Sequence, residues 1–271
     1  MYRDELGTRM KEFYEKIHQT KLMRRTPVAI RIDGKAFHTF TRGFDKPFDM
    51  VLTHSMQDTM KYLCENIQGC VFGYTQSDEI TLILIDYQTF DTAAWFDYEI
   101  QKLCSVTASM ATMAFNKFFE NNVRRFDTES IMNETECDDY LLHTAYDEAI
   151  ETGAMFDARC FNIPKEEVGN LIYWRQLDAT RNSIQMLGQA LFPHSKLQGK
   201  SCNEIQNMLL MEKDVNWNNT PTEWKRGASC IRVEEDVDID GTTNTISVWK
   251  IDREMPILKD NWDYINKRIL L

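Results

Sequence analysis

Apolar residues recur along this chain with two different spacings, and the change from one to the other predicts the order of its elements. Residues 28–33 form an apolar run typical of a buried strand, and residues 70–85 hold two such runs around a polar centre, which predicts a hairpin. Helical spacing predicts one helix over residues 52–67 and another from residue 92 to about residue 120. A further strand is expected over residues 155–163.

The predicted order, β-α-β-β-α-β, is that of the ferredoxin-like arrangement. In this arrangement an antiparallel sheet carries both helices on one face, and many polymerases use it as their palm. We therefore expect an α+β fold with a ferredoxin-like polymerase palm, followed by C-terminal helices and a β-hairpin.

The second half of the chain has its own periodic segments. One predicted helix places Arg175, Asp178 and Asn182 on a polar face, while Trp174 and Leu177 largely face elsewhere. A capping box, Ser-x-x-Glu, opens the next helix. The expected C-terminal elements are helices from residue 167 to about 192 and from residue 201 to about 213, and strands over residues 231–233 and 246–251.

Composition restricts the class of protein. With 271 residues, 43% of them hydrophobic, the chain can bury one large core or two closely joined lobes. We place a catalytic palm core at residues 1–164 and the rest of the same catalytic unit at residues 165–271. The seven scattered cysteines are typical of reduced, buried thiols. No apolar leader or membrane-length stretch is present, so a soluble, cytoplasmic protein without a membrane partner is expected.

Net charge argues against a general electrostatic hold on nucleic acid. The chain has 31 basic and 42 acidic residues, a net charge of −11, whereas nucleic-acid-binding surfaces are basic. Any RNA contact must therefore be local. Short basic clusters occur at residues 21–25, at Lys196 with Lys200, and at Lys225 with Arg226; each, taken alone, is more typical of a solvated surface.

Two carboxylates at strand ends carry the strongest chemical signal. Asp33 ends the first predicted strand, and Asp78 lies at the tip of the predicted hairpin. Asp-Gly and Ser-Asp-Glu are also ordinary turn sequences. The two carboxylates, with the Gly34 carbonyl as a third oxygen, suit two Mg²⁺ ions of a nucleotidyl-transfer site. For Glu79, an outer ligand at this catalytic site and a simple turn residue remain equal alternatives.

The residues around these carboxylates also suit a triphosphate. Backbone amides at a strand-to-helix turn bind phosphates well, and the turn after Asp33 has four candidates. Lys46 and Ser77 would add side-chain donors, as would Lys102, for which a surface lysine on a long helix is the strong alternative. The four candidate amides belong to Lys35, Ala36, Phe37 and His38.

Four segments together resemble a known family. They are residues 31–38 (RIDGKAFH), 46–49 (KPFD), 73–79 (GYTQSDE) and 174–182 (WRQLDATRN), in that order. They are similar to the successive signatures of the tRNA(His) guanylyltransferase superfamily, and weaker similarity continues through residues 156–159 and 225–227. The resemblance implies the palm fold, ATP and GTP as substrates, two Mg²⁺ ions, tRNA as partner and a homotetramer.

The resemblance also gives roles to particular residues. It implies that Asp49 faces the nucleotide base, where its carboxylate suits guanine; capping of the following helix is an equal and compatible alternative. It implies the phosphate contacts of Lys46, Ser77 and Lys102. RNA contacts are expected from Arg159, Asp178, Asn182, Lys200, Lys225 and Arg226. For Asp178 the alternative is an ion pair with Arg175.

One departure from the family pattern points to a branch within it. Eukaryotic enzymes that add a guanosine have His-Ile-Asn-Asn where this chain has residues 180–183, Thr-Arg-Asn-Ser. This resembles the tRNA(His) guanylyltransferase-like proteins, which extend 5′-truncated tRNAs in the 3′-to-5′ direction on a template. Three alternatives stay open: guanosine addition proper, a palm-type nucleotide cyclase, and a non-catalytic RNA-binding module.

Overall fold

A six-stranded sheet lies at the centre of the computed structural model, which describes residues 5–132, 140–239 and 242–270. Its strands are β1 (Val28–Gly34), β2 (Cys70–Gln76), β3 (Glu79–Leu84), β4 (Phe156–Asn162), β5 (Ala228–Ile239) and β6 (Thr242–Asp252). They are ordered β4-β1-β3-β2-β5-β6, and every neighbouring pair is antiparallel. The first four strands have the ferredoxin-like order, so the predicted fold class is confirmed.

Helices cover the sheet and extend beyond it. In the described residues they are α1 (Glu5–Met10), α2 (Phe37–Phe40), α3 (Met50–Asn66), α4 (Ile100–Met132), α5 (Tyr140–Thr152), α6 (Lys165–Leu191), α7 (His194–Leu197), α8 (Cys202–Lys213), α9 (Thr222–Arg226) and α10 (Asp263–Ile269). The predictions for α3, α6 and α8 are confirmed, including the capping box of α8. Helices α1, α5, α7, α9 and α10 were not predicted.

The predicted bounds of α4 and of the terminal hairpin were wrong. Helix α4 begins at Ile100 instead of residue 92, because Trp95–Tyr98 forms a 3₁₀ turn in which Phe96 and Asp97 have positive φ, and it ends at Met132 instead of about residue 120. Strands β5 and β6 are far longer than the short runs that were predicted. They pair with each other along their whole length. Their outer part is largely exposed and rich in charged and polar residues, so the apolar runs from which the strands were predicted mark only part of each strand.

The sheet buries both of its faces. On the first face, Ile30, Ile32 and Leu82 pack with residues of α3 and α4 in the larger core cluster. Side chains alternate along a strand, so Ala29 and Ile83 point to the second face, where α6 and α10 cover them. The expectation that both palm helices share one face is confirmed, while the covering of the second face was not predicted.

Helix α6 is longer than the strands it covers. Its first half lies on the second face through Val168, Leu171 and Ile172. Its second half packs with α8 through a separate small cluster that includes Ile184, Leu187 and Leu209. As a result, α6 carries side chains past the end of the sheet where β1 and β3 meet the hairpin tip.

None of the helices in the described residues combines the length and the low polarity that a membrane span requires.

Candidate active site

Asp33 and Asp78 meet at one end of the sheet. Asp33 is opposite Glu79 in the β1–β3 register, and the two-residue tip Ser77–Asp78 joins β2 to β3. The amide of Gly34 donates to the carbonyl of Asp78 at 3.1 Å, which holds the strand end against the hairpin tip. The structure therefore brings together the two carboxylates that the sequence singled out.

Burial raises the pKa of both carboxyl groups above the ordinary aspartate value. The negative charge of Glu79 raises the pKa of Asp33 further, and the charge of Asp33 does the same for Asp78. Carboxylates that are partly desolvated and repel one another are suited to a cation, which would relieve both penalties.

The donor set fits Mg²⁺ better than a closed metal site. Among the described residues, no group of three or more His, Cys, Asp or Glu side chains is arranged to hold a metal. What the site offers is two carboxylates and the Gly34 carbonyl. Mg²⁺ keeps several waters and is usually bound by one or two carboxylates together with substrate phosphates.

A third carboxylate, which the site prediction did not include, lies beside the first. Asp157 of β4 is opposite Asp33 in the β1–β4 register, and its charge also raises the pKa of Asp33. It accepts a hydrogen bond from Arg159 at 3.0 Å. The ferredoxin-like strand order contained this signal, because it places the fourth strand next to the first.

Glu79 is held in a buried ion-pair network. It is the first residue of β3, so of its two alternatives the simple turn residue does not hold. Its carboxylate accepts hydrogen bonds from Arg31 Nη2 at 2.7 Å and from Arg175 Nε at 2.7 Å. Arg175 was predicted on the polar face of α6, yet it is buried, because Glu79 supplies the charge that a buried guanidinium requires.

The turn after Asp33 has the shape expected for a phosphate-binding loop. Ala36 is left-handed, with φ of 54°, and α2 follows directly. Phe37 anchors the turn, since its ring packs against Phe115 and Phe156 at centroid distances of 5.6 and 5.2 Å. The amide of Lys35 is already used, since it donates to the Met155 carbonyl at 2.8 Å.

The other three predicted amides line a cleft. Within the described part of the chain, the amides of Ala36, Phe37 and His38 donate to no backbone carbonyl outside regular elements. The cleft has a volume of about 490 Å³, which lies within the range of small-molecule sites and suits a nucleotide. Eight predicted site residues line it: Gly34, Ala36, Phe37, His38, Lys46, Asp49, Ser77 and Asp78.

Asp49 caps α3. Its carboxylate accepts from the Leu52 amide at 2.7 Å, the Asp45 amide at 3.1 Å and the Tyr146 hydroxyl at 2.8 Å. Asp49 is only 6% exposed. Burial raises the pKa of Asp49, and these hydrogen bonds oppose the rise. Because three donors within the protein already bind the Asp49 carboxylate, the capping alternative accounts for this side chain, although Asp49 also lines the cleft.

Lys102 does not join the cluster. It lies in the first turn of α4 and pairs with Glu99 at 3.5 Å. The start of α4 packs near Cys160, since the Cys160 thiol faces the Ile100 carbonyl. Cys160 is three residues along β4 from Asp157, about 10 Å at strand spacing, and lies toward the opposite end of the sheet. This placement matches the surface-lysine alternative.

The predicted RNA-binding residues are spread over α6 and its surroundings. Asp178 pairs with Arg175 at 2.8 Å and with Arg181, so its ion-pair alternative is present. Lys200 pairs with Glu204 at 3.2 Å, away from the cleft. Lys225 donates to the Asn218 carbonyl at 2.7 Å. Arg226 ends α9, where its carbonyl accepts from the Tyr74 hydroxyl at 2.7 Å.

A second cavity adjoins the cleft and was not predicted. The two share Asp49, Leu52, Ser77 and Met186 in their walls. Asn182 reaches this cavity. Its aromatic wall is the stacked pair Phe48 and Trp224, with ring centroids 5.0 Å apart. The predicted residue Asn182 therefore lines the adjoining cavity and not the cleft itself.

Comparison with known proteins gives one consistent result. The family model described as tRNAHis guanylyltransferase matches residues 7–164. An uncharacterized protein of Acanthamoeba polyphaga mimivirus is 32% identical over 243 residues, covering 83% of this chain and 76% of that protein. The tRNA(His) guanylyltransferase of Saccharomyces cerevisiae is 26% identical over 226 residues, covering 77% and 83%.

Solved structures agree with the fold. A bacterial tRNA(His) guanylyltransferase-like protein in complex with ATP matches with 38% identity and a TM-score of 0.77, covering 98% of this chain and 100% of that one. A bacterial protein of the same description in complex with GTP matches with 35% identity and a TM-score of 0.75, covering 99% and 100%.

Proposed function

The chain belongs to the tRNAHis guanylyltransferase family, whose members are nucleotidyltransferases, and from this premise we propose that it is a template-dependent 3′-to-5′ nucleotidyltransferase. Its substrate is a tRNA with a truncated 5′ end. Either ATP transfers AMP to the 5′-monophosphate of that end and releases pyrophosphate, or the end already has a triphosphate. The 3′-hydroxyl of an incoming nucleotide then attacks the 5′-phosphate of the RNA and displaces AMP or pyrophosphate.

The meeting of Asp33 and Asp78 beside the cleft carries this proposal. The two carboxylates and the Gly34 carbonyl would hold the Mg²⁺ ions. When bound, Mg²⁺ supplies a lowered pKa for an attacking hydroxyl and neutralises charge on the triphosphate. Three amides of the turn at residues 36–38 point to phosphate binding, and Lys46 and Ser77 supply side-chain donors from the other walls of the same cleft.

Glu79 has a positioning role in this proposal. Its two arginine partners occupy both carboxylate oxygens, so it fixes the start of β3 next to Asp78. Nucleotide-bound relatives at 38% and 35% identity support ATP and GTP as substrates. The two Mg²⁺ ions, a homotetramer, a cytoplasmic location and a single catalytic unit formed by residues 1–164 and 165–271 are further parts of the proposal.

Alanine substitution tests the catalytic carboxylates. Asp33→Ala and Asp78→Ala should each abolish nucleotide addition with the fold retained, because each removes a charge that balances the metal ions. Asp147→Ala, which removes an exposed carboxylate of α5, is the matched control and should stay active. Addition should be followed with a labelled nucleotide, and the fold by circular dichroism. Near-normal turnover by either folded variant would refute the metal assignment.

A substrate comparison tests the branch. Thr180 stands where the guanosine-adding enzymes have histidine, so we expect efficient restoration of a missing templated nucleotide on more than one tRNA species. Addition to full-length tRNA(His) should be weak at matched concentrations. A strict preference for full-length tRNA(His) would identify guanosine addition proper instead. A cyclic product from GTP or ATP without RNA would identify a cyclase, and no product in any assay would indicate a binding module.

A further inference from the structure

A tryptophan on α6 is exposed close to the catalytic carboxylates. Trp174 is 52% exposed, and Leu177, one turn further along α6, is 50% exposed. Periodicity places both away from the polar face of α6, yet both are exposed, while Arg175 of that polar face is buried. An indole is a large apolar group whose burial is favourable. Its exposure here is therefore an observation that calls for a ligand.

Two guanidinium groups lie over this indole and restrict its orientation. The guanidinium of Arg175 lies 4.4 Å from the ring centroid and that of Arg31 lies 5.4 Å from it. Both arginines are in turn held by the carboxylate of Glu79. A ring whose orientation is already restricted is a preorganised surface, because little side-chain freedom remains to be lost when a ligand stacks on it.

The ring lies at the same end of the sheet as the carboxylates. Arg31 precedes Asp33 by two residues, so both side chains point to the α6 face of β1. Arg159 is opposite Arg31 in the β1–β4 register. It is 55% exposed and pairs with Asp157 through one nitrogen, which leaves further donors free. Arg181, two turns along α6, is 60% exposed.

We propose that Trp174 is a stacking platform for an unpaired nucleobase at the end of the RNA substrate, and that Arg159 and Arg181 contact the adjoining phosphates. An aromatic face with flanking arginines is the usual combination for single-stranded nucleic acid. Stacking also explains how a chain of net charge −11 can hold RNA, since stacking does not depend on a broad basic surface. The identity of the RNA rests on the proposed function.

Binding to two hairpin RNAs tests this platform. One hairpin has a single-stranded 3′ end and the other is blunt; both are labelled and titrated without nucleoside triphosphates. Trp174→Ala should weaken binding of the first RNA by about tenfold and leave the blunt RNA unchanged. Trp174→Phe should retain most of the affinity, because a phenyl ring still stacks. Phe90→Ala is the matched control, since Phe90 is exposed and lies near Arg25; its affinities should equal those of the unsubstituted protein.

Equal losses for both RNAs, or no loss, would overturn the inference. Sedimentation of the Trp174→Ala variant gives a further check: a changed oligomeric state would make this face a contact between copies of the chain instead. The design also separates this inference from the proposed function. Overhang-dependent binding without nucleotide addition would overturn only the function, and addition with unchanged RNA affinity in Trp174→Ala would overturn only the platform.

Discussion

Removing the charge of Glu79 should destabilise the protein strongly. The side chains of Glu79 and Arg175 are 5% and 7% exposed, and that of Arg31 is 18% exposed. With Ala at position 79, Arg31 loses its ion-pair partner, and Arg175 keeps only its pair with Asp178. Removing one partner of a buried ion pair costs about 3–5 kcal/mol. For a chain of this size, that loss lowers the melting temperature by roughly 6–20 °C.

A second substitution separates charge from shape. Glu79→Gln keeps one carbonyl acceptor but no charge, and the loss of charge-assisted hydrogen bonds should cost about 1–3 kcal/mol. The matched control is Glu120→Ala, which removes the exposed ion pair with Arg124 and should change the unfolding free energy by less than about 1 kcal/mol. Unfolding in urea, monitored by circular dichroism, provides all three values.

The alternative for Glu79, an outer metal ligand, predicts the opposite pattern. Glu79→Gln would then unfold at the same urea concentration as the unsubstituted protein, and the Mg²⁺ concentration needed for half-maximal nucleotide addition would rise. Such a result would refute the assignment of Glu79 to the Arg31 and Arg175 network. If the network is correct, the stability loss should be present in EDTA, where no metal contributes.

Two further predictions concern carboxylates at the cleft. Burial raises the pKa of Asp78 above the ordinary value of 3.8, so ionisation of this carboxyl group disfavours the folded state. Asp78→Asn should therefore be more stable than the unsubstituted protein at neutral pH in EDTA. This difference in stability should vanish as the pH falls to about 4 and below, where Asp78 is protonated in both the folded and the unfolded state. Equal melting temperatures at neutral pH would contradict this, and Mg²⁺ should stabilise only the unsubstituted protein. Asp49→Ala removes a helix cap with three donors, so it should cost about 1–3 kcal/mol and weaken GTP and ATP binding equally; a selective loss of GTP affinity would restore the base-reading role.

Features local in sequence could be predicted. The strand that ends at Asp33 and the hairpin that turns at Asp78 are continuous segments with clear patterns, and each places its carboxylate at a strand end. The Ser201 capping box is equally local. The helix order then follows from periodicity, and the ferredoxin-like arrangement fixes which strands are neighbours. Both carboxylates were therefore expected at one end of the sheet.

Features that depend on distant segments could not be predicted. Periodicity places Arg175 on the polar face of a helix. It can be buried because its charge is balanced by Glu79, which lies 96 residues earlier in the chain. Because Arg175 turns inward, Trp174 faces outward, which reverses the pattern that periodicity suggests. The place of Lys102 is equally non-local, since the direction of α4 along the sheet decides which end its first turn reaches.

The placement of these groups on the two faces of the sheet gives a physical reason for the arrangement. The cleft with residues 36–38 opens on the side of α2 and α3, whereas Trp174 and Arg159 lie on the side of α6. Asp33 and Asp78 are at the strand ends between them. On the proposed function, the nucleotide and the RNA end therefore approach from different sides and meet at the carboxylates. Glu79 joins α6 to the strand beside Asp78. On both proposals, the network next to the indole would therefore also position the RNA end relative to Asp78.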